Sequence, residues 1–183
     1  MPEELMWSSF FNVKNILSFM QVDKSIQDLM EVGCGYGTFT IPAARRISGK
    51  LYVFDIEPEM IALAHDKAVL YNLSKIEFFI RDIIASKSGL PANSMDYVML
   101  FNILHHEKPA DLIREAHYVL KAGGKAGIIH WRSDIETPRG PELSIRPTPE
   151  QCIEWAIQSG FMIAKEPEIL EPFHFGLIIQ KPF

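Results

Sequence analysis

Cysteine is scarce in this chain: Cys34 and Cys152 are the whole complement of 183 residues. Two thiols are too few for a disulfide framework or an all-cysteine zinc site, and both suit a reducing compartment. Positive charge is short as well. Eighteen Lys and Arg stand against 23 Asp and Glu, a formal net charge of −5. That balance argues against a protein that holds nucleic acid by broad phosphate neutralisation, although it leaves a local basic patch open. Also missing is any run of the roughly 20 apolar residues that a membrane span needs. At the N-terminus Glu3 and Glu4 stand where a secretory leader carries positive charge, and Asn12, Lys14 and Asn15 interrupt the apolar stretch that follows. The expectation is a cytoplasmic protein with no membrane span. There is no internal repeat and no low-complexity segment.

What is present suits one globular domain over 1–183, with no room for a large second one. The informative stretch runs from Asp28 to Ala44. Ile26, Leu29, Met30 and Val32 supply a buried strand, and Gly33, Gly35 and Gly37 then allow backbone conformations and close approaches that a Cβ forbids. A helix starting near Thr38 would present its free N–H groups to a ligand. A Gly-x-Gly-x-x-Gly spacing after a strand would indicate a dinucleotide. Here Thr38 occupies the place of the third glycine of that pattern, Gly37 comes one step early, and Glu31 lies two residues before Gly33. An acid at that point suits a cationic ligand better than a diphosphate.

The spacing Glu31-x-Gly33-x-Gly35-x-Gly37 resembles the first motif of the class I S-adenosylmethionine-dependent methyltransferases, in which the glycine loop passes under the amino-acid part of the cofactor. The resemblance extends over about 26–181 and implies a Rossmann-like three-layer α/β/α sandwich. Its seven-stranded sheet is mostly parallel with an antiparallel last strand. It also implies S-adenosyl-L-methionine as cofactor, S-adenosyl-L-homocysteine as product, and transfer of the methyl group by direct displacement. Cys34 and Tyr36 fall inside the resembling loop and are cofactor contacts on that ground.

The remaining elements fit this order. Lys50–Asp55 reads as the second strand, rich in residues that suit buried strands. Asp55 lies about twenty residues past the first glycine, where a carboxylate at a strand tip can accept from ribose hydroxyls; the alternative is a residue that opens the next helix, which has Pro58 in its first turn. By resemblance Ile56 joins it at the cofactor. Ile76–Ile80 is the third strand, and the Asp82-Ile83 pair after it is implied to meet the adenine, against a solvated loop acid as the alternative. Residues 86–94, with Gly89, Pro91 and Asn93, read as a loop. Met95–Phe101 is the fourth strand, with Asp96 in a structural role at its start.

Asn102 ends that strand, and the following Ile-Leu-His105-His106 resembles the loop beside the transferable methyl. His105 and His106 are the candidate catalytic residues, because an unperturbed histidine titrates near neutrality; they could equally be exposed and inert. Adjacent histidines lack the i, i+4 spacing of a two-histidine metal pair, so no metal is assigned. A helix over 111–121 ends at Gly123-Gly124, and 125–131 is the fifth strand. The Pro- and Gly-rich segment 132–149 reads as a loop closing the substrate side, with His130, Trp131 and Arg132 at its root. For Arg132 the choice lies between anion recognition and a surface ion pair. Thr148, Pro149 and Gln151 form a capping box before a last helix, and 161–165 and 173–180 give two final strands. Residues 7–20 suggest an amphipathic helix, part of an N-terminal cap or lid over 1–22: either it packs over the sheet edge, or, as the resemblance implies, its aromatics cover the site and Trp7 and Phe11 join Trp131 and Arg132 in binding substrate.

The reading is a methyltransferase acting on a small-molecule acceptor, as a monomer or homodimer. Two alternatives remain: an NAD(P)-dependent oxidoreductase on a related fold, disfavoured by Thr38 and Glu31, and a non-catalytic cofactor-binding interaction protein.

Overall fold

The computed structural model describes residues 4–183; residues 1–3 of the predicted cap lie outside it. Seven strands form one sheet: β1 (Asp28–Val32), β2 (Lys50–Asp55), β3 (Ile76–Ile80), β4 (Met95–Phe101), β5 (Leu120–Trp131), β6 (Met162–Leu170) and β7 (His174–Gln180). Their spatial order is β3-β2-β1-β4-β5-β7-β6. Every pairing from β3 to β5 is parallel, whereas β7 runs antiparallel to both β5 and β6. The mostly parallel sheet with an antiparallel last strand is thus as the sequence implied. Crossovers on either side of β1 leave in opposite directions, so the chain ends of β1 and β4 lie side by side at a topological switch point. Open α/β sheets bind ligands there.

Alternation along the strands supplies two cores. Leu29 of β1 packs with the face covered by α2 (Val13–Phe19), α3 (Thr40–Arg46) and α4 (Pro58–Leu70) through Leu17, Ala43, Ala44, Ile61 and Ala64. Met30 and Val32 face the other way, onto α6 (Pro109–Val119) and α7 (Pro149–Gln158) through Leu112, Ile113, Ala116, Cys152 and Ala156. Burial of such side chains contributes roughly 1.5–3 kcal/mol each, and a sheet covered on both faces explains why β1 and β4 are almost uniformly buried. Asp96 joins the strand starts: its carboxylate accepts from the N–H groups of Gln27 (3.0 Å) and Asp28 (2.9 Å) and from Lys121 Nζ (2.7 Å). The capping box of α7 forms as predicted, with Gln151 N–H donating to Thr148 Oγ1 at 3.2 Å and Thr148 N–H to Gln151 Oε1 at 2.9 Å.

Five local expectations are corrected. The helix expected over 7–20 is two, α1 (Glu4–Ser8) and α2. Ser8 and Ser9 hydroxyls turn back onto Leu5 and Met6 carbonyls, and Asn12 Oδ1 caps α2 by accepting from Asn15 N–H at 3.2 Å. Helix α3 begins at Thr40, not Thr38, since the left-handed backbone of Gly37 (φ 75°) prolongs the turn. A four-residue helix, α5 (Ile83–Ser86), follows β3 where a loop was expected, nucleated by Asp82. Strand β5 reaches back to Leu120, carrying Gly123-Gly124 inside an irregular register between Met95 and Tyr97 of β4. Strand β6 extends to Leu170, with register shifts on both sides of Lys165, the second spanning Pro167, that suit an edge strand.

Candidate active site

A cleft of about 490 Å³ opens over the C-terminal ends of β1, β2 and β4, within the size range of small-molecule sites. A smaller recess of about 90 Å³ continues it, sharing Gly33, Asp55, Ile56, Ile103 and His106. The recess is walled by Val32, Phe54, Asp82, Ile83 and Ile84, the larger chamber by Trp7, Phe39, Phe101 and Trp131. One end therefore fits a flat, largely apolar group with an acceptor at its edge, and the other is aromatic.

The floor between them is the glycine turn. Gly33 has φ 78°, and a Cβ there would stand 3.1 Å from Ile103 Cδ1 in the cleft wall. Asp55 is fixed at the tip of β2, one carboxylate oxygen accepting from Gly35 N–H at 3.0 Å and the other from Glu57 N–H at 3.0 Å. Each oxygen keeps a further lone pair for a ligand hydroxyl. Asp82 Oδ1 accepts from the N–H groups of Ile84 (2.8 Å) and Ala85 (3.0 Å) at the start of α5.

Two buried acceptors complete the arrangement. Glu31 is 3% exposed and its Oε2 has no hydrogen-bond partner among the described residues. Burial, opposed by the Thr40 hydroxyl and reinforced by the Asp55 charge, pushes its carboxyl up to about 8. Asn102 Oδ1 likewise lacks a partner among them. Its backbone is left-handed (φ 57°), a conformation that asparagine tolerates better than most residues, and its N–H is tied to the Ile129 carbonyl at 2.8 Å. Unpartnered buried acceptors are rare in folded proteins, and these two adjoin a glycine turn and an open cleft.

Histidine geometry is asymmetric. His106 is exposed on the rim, its Nδ1 accepting from Lys108 N–H at 3.3 Å. His105 is half-buried, lines the cleft, and places Nδ1 3.3 Å from Nε2 of buried His130. Burial, with the neighbouring His106 charge, holds His105 below the usual imidazole range.

The structure does not bring every predicted residue to the cleft. Phe11 is buried behind it, its ring 5.2 Å from that of Trp7 and 4.5 Å from that of His174. Arg132 is held away by Asp134 through two bonds of 2.9 and 2.7 Å, the surface ion pair of the two alternatives. Gly37 packs against Ala64 of α4, with 3.3 Å between an added Cβ and that methyl. Tyr36 contributes its carbonyl to Lys67 Nζ at 2.6 Å and is absent from the lining. Cys34 lines the chamber, but burial raises its thiol well above the ordinary range and leaves it unreactive.

Some contributors were not foreseen. Arg139, Gly140 and Pro141 of the long loop line the chamber, and Arg146 is what shapes that loop. Its guanidinium, 5.8 Å from the Trp131 ring, donates to the carbonyls of Pro141 (2.9 Å) and Arg132 (2.9 Å) and to Thr137 Oγ1 (2.7 Å). A buried arginine satisfied by carbonyls leaves no pattern in sequence, and nothing local sets Arg146 apart from Arg132 and Arg139 of the same loop.

Fold and cleft together are those of a Rossmann-like domain with an open cleft at its topological switch point. The family described as methyltransferase domain matches residues 29–124, more than half of the chain. The chain belongs to that family, whose class is S-adenosylmethionine-dependent. It is similar to aklanonic acid methyltransferase DauC of Streptomyces sp. (strain C5), 27% identical over 135 residues that cover 67% of this chain and 60% of that protein. It is also similar to phosphoethanolamine N-methyltransferase 3 of Arabidopsis thaliana, 30% identical over 65% of this chain and 24% of that one. The chain thus spans three fifths or less of the length of these curated relatives. In fold it matches a SAM dependent methyltransferase from Aquifex aeolicus with TM-score 0.84 at 20% identity, covering 98% of this chain and 93% of the other.

Proposed function

We propose that this protein transfers the methyl group of S-adenosylmethionine to a small-molecule acceptor bound in the aromatic chamber, acting in the cytoplasm as a monomer or homodimer. The observation that carries the reading is the pair of unpartnered buried acceptors, Glu31 Oε2 and Asn102 Oδ1, beside the glycine turn. They suit the ammonium of an amino-acid tail, which brings the donors and the charge that both lack. Asp55 accepts the ribose hydroxyls, Gly33 and Gly35 let the backbone approach, and Asp82 and Ile83 edge the recess that takes the adenine. When bound, the cofactor supplies an already activated methyl group, so the chain's main task is alignment, which can contribute on the order of 7 to 11 kcal/mol. Trp7, Phe39, Phe101 and Trp131 exclude water and fix a planar or apolar acceptor. Arg139 at the loop suits an acceptor with an anionic group. His105 takes the acceptor proton, a contribution of about 10² to 10⁴ in rate.

Support for a small acceptor comes from the aromatic lining of the chamber, and from the two curated relatives whose names specify aklanonic acid and phosphoethanolamine. No helix of the described residues is long and apolar enough to cross a membrane. The test is transfer of labelled methyl to a panel of small aromatic acids, phenols and amines, run beside a protein and an RNA substrate. Label on a small acceptor supports the proposal; label only on protein or RNA overturns it.

A further inference from the structure

Buried His130 does nothing in the reading above, yet it touches the histidine that lines the cleft. Its Nδ1 lies 3.2 Å from the Trp131 carbonyl, and its Nε2 lies 3.3 Å from His105 Nδ1. A carbonyl only accepts, so the bond to Trp131 requires a proton on His130 Nδ1. His130 is fully buried, and burial drops its pKa to about 3. It is therefore neutral near pH 7 and carries that one proton alone. Its Nε2 must then be the bare acceptor, which requires His105 to donate from Nδ1. A neutral His105 donating from Nδ1 has a bare Nε2.

We propose that His130 is a positioning residue: it selects the Nδ1–H tautomer of His105 and so leaves His105 Nε2 as a proton acceptor in the cleft. Isolated imidazoles favour the opposite tautomer, with the proton on Nε2, which would make His105 a donor there instead. The Trp131 carbonyl sets the direction of the whole chain, and Trp131 is itself held by packing against Phe10 and Phe173 (5.6 and 6.2 Å between rings). The charged or titratable groups around the pair are His106 on the same loop, Arg146 after the 3-10 turn (Leu143–Ile145), and His174 on β7. All are basic. Unlike a histidine backed by a carboxylate, this one is oriented without being made more basic. The proton lost from an acceptor O–H or N–H goes to Nε2, the electron pair stays on the acceptor atom, and the resulting imidazolium passes its proton to solvent through the cleft. The role of that proton rests on the methyltransferase reading; the tautomer does not.

The test is long-range ¹H–¹⁵N correlation on histidine-labelled protein near pH 7.5, with S-adenosylhomocysteine affinity measured separately by calorimetry. In the wild type, His105 should show pyrrole-type Nδ1 and pyridine-type Nε2. His130→Phe, which removes the acceptor, should move His105 toward the Nε2–H form with S-adenosylhomocysteine affinity changed less than threefold. His130→Gln, whose amide oxygen can accept in place of Nε2, should restore the Nδ1–H form. A wild-type His105 protonated on Nε2 overturns the proposal even if neither variant folds, and so does an unchanged tautomer in a folded His130→Phe. Loss of cofactor binding in the wild type alongside the expected tautomer would refute the methyltransferase reading and leave the histidine pair standing.

Discussion

In the proposed site, Glu31 should make the binding of cofactor a proton-linked event. Its carboxyl is raised to about 8 by burial and by the Asp55 charge, so in the free protein it is mostly protonated at neutral pH. An incoming ammonium favours the carboxylate, and the proton must leave. Binding that releases a proton tightens as pH rises. Below about pH 8 each unit should weaken affinity about tenfold, or about 1.4 kcal/mol, giving roughly a hundredfold between pH 7 and pH 5. The same shift acts on the fold with the opposite sense. Because the folded value lies above the ordinary 4.5, Glu31's contribution to stability is full below that value and is lost as pH rises through about 8. The assay is calorimetric titration with S-adenosylhomocysteine from pH 5 to 7, where its amino group stays protonated, in two buffers of different ionisation enthalpy to count the proton. Glu31→Gln should bind with no slope over that range and be at least as stable as the wild type at pH 8. A flat wild-type profile, or an equal slope in Glu31→Gln, would refute the argument.

Three further outcomes follow from the same geometry. Asp55→Ala should lose about 2 to 4 kcal/mol of cofactor affinity, since a charged acceptor of ligand hydroxyls goes and the Gly35 and Glu57 amides lose their anchor; equal affinity in a folded variant, by titration, would remove Asp55 from the site. Arg146→Lys cannot reach the Pro141, Arg132 and Thr137 oxygens together and should cost on the order of 3 kcal/mol, read as a lower melting temperature and faster proteolysis within 132–147; unchanged cleavage would show that the loop is held otherwise. Asp96→Asn should destabilise near neutrality. Burial of Asp96 opposes its charge, but Lys121 and the Gln27 and Asp28 amides outweigh it and hold the carboxyl below 3.8. Its stabilisation is therefore present above that value and lost as pH falls below it, so the difference in melting temperature from wild type should shrink below about pH 3.8; a constant difference would count against the linkage.

Much of this architecture is legible in the chain because the signals are local. Apolar runs at β1, β2 and β4, a glycine turn with fixed spacing, and Thr148 followed by Pro149 and Gln151 each need only their neighbours to make sense. The acids Glu31, Asp55 and Asp82 come at strand ends, so placing the strands placed them. What escaped depends on distant partners. The break between α1 and α2 turns on serine hydroxyls choosing carbonyls one turn back, which amphipathic spacing does not register. For Arg132 the sequence left anion recognition and a surface ion pair open; Asp134 takes it, and Arg146, fourteen residues on, packs beside the Trp131 ring. Phe11 shares an aromatic cluster with Trp7 but stands one layer deeper. The contact of His105 with His130 joins residues at the ends of β4 and β5, which are adjacent only once the sheet is assembled.

The central claim is a site for the adenosyl cofactor, and thermal unfolding with S-adenosylmethionine, S-adenosylhomocysteine and NAD in parallel tests it most directly. A ligand at about 100 times its dissociation constant stabilises by roughly 2.7 kcal/mol, a rise on the order of 5 to 11 °C for a domain of this size. The account predicts that rise with both adenosyl compounds and none with NAD. A shift with NAD alone, or with none of the three, would contradict it.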